Sequence, residues 1–580
     1  MRIALAQINP TVGDFEGNLK KITEYIMRAA EFRADLVCFP EMSTTGYPPE
    51  DLLLKPSFIE ANLDCIKDIA AATRDLDITA AVGFVDLEGG KIYNAAAIIN
   101  KGNIAAVYHK RHLTDYGFFD EKRYFCSGNE GLVITCAGVN VGLTISEDIW
   151  HSTDFASAVA KEGGAQLIIN LSASPFHIGK QKLRKRVLSG RAADNICFLA
   201  LVNLVGGQDE LIFDGNSMIF DEEGNIVRQG RSFEEDLIIA DLKTERVRRR
   251  RLYAFKSQEE KTLAEAKVNI RKVFVSEPAS GAYPHITCAE PEKNSEDLEE
   301  AEVYNALVLA VRDYVNKNNF PGVYIGLSGG IDSALTAAIA VDALGRERVT
   351  GVFMPSPITS EESREDSEQL AANLGIKLLT IPIEEIAAAY TATLQPLCDG
   401  KLEDITIQNI QARIRGNILM ALTNQFGGIV LTTGNKSELS TGYATLYGDM
   451  AGGFAVLKDI PKTLVYRLAR YRNKKAGKPL IPLRVLEKAP TAELRPGQKD
   501  EDDLPPYSIL DKIIEYVEQG YKAEEIVKEG FTPDHVSRTI AMIYRSEYKR
   551  RQAPPGARIA PDTFLFKKGR IPITNKFRKN

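Results

Sequence analysis

The stretch Gly322-Val-Tyr-Ile-Gly-Leu-Ser-Gly-Gly-Ile-Asp-Ser-Ala-Leu335 constrains the fold of this chain more than any other. Val323 to Leu327 is an apolar run rich in β-branched and aromatic side chains, and reads as a buried strand. Ser328-Gly-Gly330 breaks that run, and Asp332-Ser333 opens an Ala/Leu/Ile-rich helix that lasts to about Gly345. A tight glycine turn from strand into helix leaves backbone N–H groups unpaired and aimed at one point. The helix dipole adds partial positive charge there, so Gly326-Leu-Ser-Gly-Gly-Ile-Asp-Ser333 forms an anion cradle. Gly329 and Gly330 let phosphate oxygens approach the backbone with no Cβ in the way. Ser328 and Ser333 add hydroxyl donors, and Asp332 supplies a hard oxygen for a magnesium ion on the phosphates. Gly-Lys is nowhere followed by Ser or Thr, so this is not the lysine-bearing phosphate loop of the Walker type.

SGGIDS resembles the pyrophosphatase loop of enzymes that cleave ATP between the α and β phosphates and adenylate a carboxylate or carbonyl. A chain of 580 residues is too long for one core and allows roughly three or four domains. Its 44% apolar and 26% charged content is that of an ordinary globular protein, and its net charge of −6 argues against nucleic acid as the main partner. The opening MRIALAQINP lacks a secretory pattern and reads as a first strand. No stretch approaches the ~18 apolar residues of a membrane span. Seven scattered cysteines without a CxxC pair suggest neither a disulfide scaffold nor a zinc cluster. His109 and His112, in the basic run HKRH, read as solvated charge rather than metal ligands. A cytoplasmic protein is expected.

From residue 1 to about 243, short strands alternate with helices. Strands are expected at Ile3–Ala6, Leu36–Phe39, Ile78–Phe84, Ala95–Ile99, Ile104–Tyr108, Val139–Ile145, Leu167–Leu171, Phe198–Asn203, Ser217–Phe220 and Ile238–Asp241. Helices are expected from a cap at Asn18 to Ala34, and from Lys180 to about Asp194. Three polar groups, Glu41, Lys110 and Ser146, stand at strand ends, where an α/β sheet presents functional side chains.

Their contexts, FPEMSTTGYP, YHKRHLTDYGFFDEKRYF and GLTISEDIW, resemble the carbon–nitrogen hydrolase (nitrilase) superfamily, in particular the glutamine amidase domain fused to NAD synthetases. That resemblance implies an α-β-β-α sandwich. It also implies a cysteine that attacks the side-chain amide, Glu41 shuttling its proton, and Lys110 stabilising the tetrahedral oxyanion. By the same resemblance Tyr116, Ser174 and Lys180 contact glutamine. The family motif would be ICEDIW, whereas this chain has Ser146. A serine hydroxyl is far harder to deprotonate than a thiol, whose free pKa is about 8.5, so an impaired glutaminase is expected. The serine reads as an introduced inactivating change or as a natural defect, the intact surroundings favouring the former.

Residues 244–297 read as a connecting segment. They hold the run Arg248–Arg251, which suggests an interface or solvated surface before nucleic acid, then an amphipathic piece at Ser257–Lys267. The Pro/Ser/Gly/Glu-rich SEPASGAYPHITCAEPEKNSED completes the segment. From Leu298 onward, helices and strands alternate as in a doubly wound parallel sheet: a helix to Asn318, then Val349–Met354, Ser360–Leu374, Lys377–Ile383, Ile407–Phe426 and the strand Gly428–Thr433. TGNKSE and TLYGDM are similar to NAD synthetases rather than to the other enzymes that share the SGGxDS loop. This implies Glu438 as a second magnesium ligand beside Asp332, and Thr433, Lys462 and Thr491 as ATP contacts. Asn409, Arg413, Glu438, Asp449 and Lys549 would meet deamido-NAD. PTAELRPGQKDEDDLPPYSILDKII resembles the family's mobile lid. No GxGxxG occurs, which suits a dinucleotide that is substrate and product rather than hydride carrier.

The resemblance implies three segments: an amidase domain (1–243), the connector (244–297) and a synthetase domain (298–580). It implies glutamine or ammonia, deamido-NAD and ATP as substrates, Mg²⁺ as cofactor, no nucleic acid or membrane partner, and a homo-oligomer. Rival readings are a pyrophosphatase amidating another acid, and an ammonia-dependent synthetase carrying a non-catalytic, glutamine-binding regulatory domain.

Overall fold

The computed structural model describes residues 1–117, 119–150, 155–254, 268–278, 298–398, 402–491, 493, 495, 497–566 and 572–574. The chain divides into two compact units, Met1–Gln208 with Ile212–Asn294, and Asp209–Leu211 with Ser295–Asn580.

The first unit holds two sheets. One runs Asp236–Asp241, Arg2–Gln7, Leu36–Cys38, Thr79–Glu88, Lys91–Asn100, Asn103–His109. The other runs Ile226–Gln229, Met218–Phe220, Phe198–Asn203, Leu167–Ser172, Val139–Ile145, Glu130–Cys136, Asn269–Phe274. Strict alternation explains the layering. Ile3, Leu5, Leu36, Cys38, Ala96 and Ile98 pack in one core with Val141, Leu143 and Ile169 of the second sheet. Their neighbours Ala4, Ala6, Val37, Phe39, Ala97 and Ile99 pack with Ile22, Ile26, Ile66 and Ile69 of the helices Phe15–Glu31 and Pro56–Ala72. Strands buried on both faces demand a layer on each, and an α-β-β-α sandwich results.

The first helix is capped by Asp14, whose side chain accepts from Gly17 N, rather than by Asn18. Asn18 is buried inside the helix, where its amide ties down Thr11 and Thr44 and so cannot serve as a cap. Within the expected connector, Glu245–Ala254 is a helix and Asn269–Phe274 a strand pairing parallel with Glu130–Thr135. Arg251 is no solvated charge. It donates to Asn195 O and Ile196 O, the carbonyl end of the helix Lys180–Asn195, where a cation is electrostatically favoured. The amphipathic piece Ser257–Lys267 and most of the Pro/Ser-rich passage lie outside the described residues.

In the second unit the sheet is all parallel, ordered Lys377–Thr380, Val349–Phe353, Val323–Leu327, Ile429–Thr432, Phe454–Ala455. Chain order reverses between Val323–Leu327 and Ile429–Thr432, so their carboxyl ends flank the crevice where such sheets bind ligands. The expected strand Val323–Leu327 is matched residue for residue, and its helix spans Ile331–Leu344.

Candidate active sites

In the sandwich unit, Glu41 follows the strand Leu36–Cys38 and Lys110 follows Asn103–His109. Glu41 Oε1 accepts from Lys110 Nζ at 2.8 Å and from Asn94 Nδ2 at 2.7 Å. Its Oε2 accepts from the backbone N–H of Ala173 at 2.9 Å, at the end of a strand of the other sheet, so this carboxylate stitches the two sheets together. Lys110 also donates to Glu121 Oε1 at 2.8 Å, and Glu121 Oε2 accepts from Thr114 N at 2.8 Å. One ammonium thus lies between two carboxylates, with Lys110 and Glu41 each 1% exposed. Burial pushes the Glu41 carboxyl above its usual range, the Lys110 charge only partly offsetting it. Burial pulls Lys110 down, but Glu121 and Glu41 together hold it above an ordinary lysine. Glu121 is the member that sequence reading did not single out. It stands within the quoted YHKRHLTDYGFFDEKRYF, but in a 3₁₀ turn, Glu121–Arg123, that no periodicity marks.

Ser146 ends the strand Val139–Ile145 with φ of +42°, in the left-handed region that disfavours a Cβ, and opens a 3₁₀ turn to Ile149. Its carbonyl accepts from Asn170 Nδ2 at 3.2 Å. Two residues on, Asp148 ties this turn to the Lys110 arm. Its Oδ1 accepts from the backbone N–H groups of Arg111 (3.1 Å) and His112 (2.8 Å). Its Oδ2 accepts from Tyr108 Oη (2.7 Å) and Ile145 N (3.0 Å). Lys110 and Ser146 therefore sit on segments held by one buried side chain. HKRH is not the solvated run expected: Lys110 is buried, His109 stacks on Tyr93 and pairs with Asp86, and His112 faces Asp148.

Ser174 is buried, its N–H donating to Asn203 Oδ1 at 2.9 Å and its Oγ facing the buried Arg184–Asp214 pair. Lys180, the first residue of its helix, lies 4.5 Å from the Trp150 ring centroid, and burial lowers its pKa. Tyr116 is exposed and donates to Glu147 Oε2 at 3.1 Å.

In the second unit a cavity of about 730 Å³ opens at the carboxyl ends of the parallel strands. Gly326 to Ser333, Asn409, Thr433, Glu438, Asp449, Lys462, Thr491 and Lys549 all line it. Arg413 does not: it is exposed and donates to Leu446 O, while Arg415, two residues on, faces the cavity. Burial lowers the Arg415 guanidinium to about 10.

In the glycine turn, Gly329 takes φ of +75°, and a Cβ there would stand 2.7 Å from the backbone of Ser363, so glycine serves helix packing as well as ligand access. The two hydroxyls brace the loop. Ser333 Oγ donates to Gly330 O at 2.9 Å, and Ser328 Oγ accepts from Gly330 N at 3.2 Å.

Asp332 Oδ2 accepts from Lys462 Nζ, which also donates to Glu438 Oε1 at 3.2 Å. Asn435 Nδ2 holds Asp332 Oδ1 at 3.0 Å, and Asn435 caps the helix Lys436–Thr441 reciprocally with Glu438. Burial raises the Glu438 carboxyl to about 8 despite Lys462, with Asp332 adding to the rise. Asn409 Oδ1 accepts from Thr445 Oγ1 at 2.8 Å, Asp449 Oδ1 accepts from Thr445 N at 2.6 Å, and Lys549 Nζ donates to Gly442 O and Ala444 O at 2.7 Å each. In the expected lid, Glu493 accepts from Ser360 Oγ, Ser363 Oγ and Lys488 Nζ at 2.9, 2.6 and 2.9 Å.

Known families match the chain in two stretches, one in each unit. The carbon-nitrogen hydrolase family matches residues 2–252, and the NAD synthase family matches residues 303–553. The glutamine-dependent NAD(+) synthetase of Thermotoga maritima is 48% identical, covering 100% of this chain and 99% of its own. That of Aquifex aeolicus is 47% identical over the whole of both chains. Among solved structures, the glutamine-dependent NAD+ synthetase of Acinetobacter baumannii, in complex with adenosine diphosphate, superposes with a TM-score of 0.72 at 39% identity, covering 99% of this chain and 98% of its own. With both halves matched in order and identity near one half end to end, this chain belongs to the glutamine-dependent NAD(+) synthetase family of ligases.

Proposed function

We propose that the chain amidates deamido-NAD to NAD at the expense of ATP, that it uses free ammonia well, and that its supply of ammonia from glutamine is impaired at Ser146. The observation that carries this is the placing of Ser146 at a sharp strand-to-turn junction, on a segment pinned to the arm of an intact Glu41–Lys110–Glu121 frame. A carboxyl raised by burial is suited to taking a proton from a nucleophile and returning it to the leaving amine. A buried ammonium meets the charge that develops on the tetrahedral oxygen. Both groups serve a thiol, and the serine hydroxyl is too weak an acid to use them. Ser174, Lys180 and Tyr116 would hold glutamine.

In the synthetase site the glycine turn cradles the ATP phosphates, with Thr433 and Thr491 alongside. The nicotinate carboxylate of deamido-NAD attacks the α-phosphorus, pyrophosphate leaves, and ammonia then displaces AMP from the acyl adenylate. Asn409, Asp449 and Lys549 would position the dinucleotide. The residues fit a magnesium ion: Asp332 and Glu438 already point hard oxygens at one cation, Lys462 Nζ, at the mouth of the cradle. Bound there, magnesium would neutralise charge on the phosphates, and Lys462 would be released to meet them too. A homo-oligomer is part of this reading. It is supported by the apolar side chains Tyr390, Leu397, Ile405, Met420 and Phe426 left exposed on the second unit, and sedimentation tests it.

Steady-state NAD formation with ammonia or glutamine as nitrogen source is the decisive assay. Turnover with ammonia and little with glutamine is expected; equal turnover with both overturns the impairment. The same frame around an inert residue favours one second reading, a glutamine-binding regulatory domain. Glutamine that alters ammonia-dependent turnover without being hydrolysed would establish it.

A further inference from the structure

The carboxylate Glu438 and the ammonium Lys462 stand on different helices, Lys436–Thr441 and Lys462–Ala476, so their spacing depends on what joins those helices. The second helix starts after Pro461 with no side-chain cap of its own, leaving its first N–H groups in need of acceptors. They find them on neighbouring elements. Lys462 N donates to Ser437 Oγ at 2.9 Å, and Thr463 N donates to Asp511 Oδ2 at 2.9 Å. Ser437 Oγ donates to Asp511 Oδ1, and Thr463 Oγ1 donates to Asp511 Oδ2 at 2.7 Å.

Asp511 lies on a third helix, Tyr507–Glu518, and is not among the residues that line the cavity. Its carboxylate caps the helix that bears Lys462 and grips the residue next to Glu438. The far end of the same helix is tied down as well, Glu518 pairing with Lys436 at 2.7 Å and Asp459 with Lys436 at 3.1 Å. Its near end meets the site, with Lys462 Nζ 5.3 Å from the centroid of the Tyr507 ring.

We propose that Asp511 is a positioning residue. Through Ser437 and the first turn of the Lys462 helix it sets the spacing of the Glu438 carboxylate and the Lys462 ammonium, and hence the geometry of metal and ATP phosphates. This rests on the reading that Asp332, Glu438 and Lys462 hold Mg–ATP. A carboxylate is needed because both its oxygens accept. An asparagine offers one acceptor and turns an N–H₂ toward Ser437, whose hydroxyl then loses its acceptor.

The test measures Mn²⁺ binding in the presence of ATP by electron paramagnetic resonance, beside ammonia-dependent kinetics, in the full chain. Asp511→Asn is expected to weaken Mn²⁺ binding and to lower kcat, each about tenfold, as outer-shell partners of metal sites do, with KM for deamido-NAD within about twofold. Ser437→Ala is expected to do the same, and the double variant to be no worse than either, because the two act in series. Asp511→Glu, which keeps both acceptors, is expected to recover part of the loss. A lower melting temperature with unchanged Mn²⁺ binding and kcat overturns the proposal and leaves Asp511 as a packing residue. If Asp511→Asn does not fold, Ser437→Ala carries the same two outcomes. An unaltered chain that releases no pyrophosphate from ATP and deamido-NAD overturns the functional reading instead.

Discussion

Each unit holds a lysine between two carboxylates, and the two arrangements differ in what is left over. Lys110 between Glu41 and Glu121 is closed: the lysine is 1% exposed and the carboxylates are 1% and 5% exposed. Lys462 between Asp332 and Glu438 is open: the lysine is 4% exposed but its carboxylates are 16% and 17% exposed, on the wall of a large cavity. A fully buried ion pair is a fixed frame, since removing one member strands the others in a low dielectric. A pair with oxygens still facing a cavity is an exchange site, in which an ammonium holds the place that a divalent cation can take. On the proposed reading, the same three charges serve one site as scaffold and the other as ligand shell.

The contrast is broken most directly at the open site. Asp332→Ala or Glu438→Ala is expected to cut ammonia-dependent turnover by about 10⁴-fold with far-UV circular dichroism unchanged, because each removes a hard oxygen from an exchangeable shell. Near-normal turnover in Glu438→Ala would make the open site no ligand shell at all.

At the closed site, on the proposed reading that the frame serves a thiol, Ser146→Cys is expected to raise glutamine hydrolysis by about 10³-fold, with ammonia-dependent synthesis unchanged. Adding Lys110→Ala should remove the gain. Failure of Ser146→Cys to hydrolyse glutamine even with ATP and deamido-NAD present would mean that the frame does not serve catalysis.

Stability sharpens the comparison further. Lys110→Ala is expected to cost about 3–5 kcal/mol in urea unfolding by leaving two buried carboxylates facing each other. Lys462→Ala is expected to cost less, and millimolar Mg²⁺ to restore the difference; equal losses that magnesium does not relieve would erase the distinction.

A pH effect lies behind the open site, where burial raises Glu518 to about 7 although Lys436 opposes the shift. The folded chain keeps this proton after the unfolded chain has released it, so stability falls as pH rises from about 4.5 to about 7. The slope for this single group is about 1.4 kcal/mol per unit. Glu518→Gln should flatten that part of the curve.

Much of this was legible from residues 322–335 alone, because strand, glycine turn and helix each have a local cause and the parallel-sheet topology then fixes where the turn lies. Glu41, Lys110, Ser146, Asp332, Glu438 and Lys462, on which the proposed chemistry rests, were readable from motif context. Glu121 was not, since its place in the frame comes from a short turn folding back on a strand eleven residues earlier. Arg413, implied by the resemblance, lies off the cavity and Arg415 faces it; a helix of 23 residues whose apolar pattern has no strong side gives no sign of which face does so. Asp511 and Asp148 act by clamping elements distant in sequence, and such a role has no sequence period.

The strand Asn269–Phe274 bears on how this protein can be taken apart. Six residues of it run along the outer edge of the seven-stranded sheet, covering Glu130–Thr135. The family match ends at residue 252, before this strand begins. A fragment cut there would bare a row of unpaired amides beside Leu132 and Ile134, a ready template for pairing with another copy. A truncated amidase half is therefore expected to aggregate, whereas one carried through residue 278 keeps its edge covered. The strand Asn269–Phe274 is, in effect, the hem of the first unit.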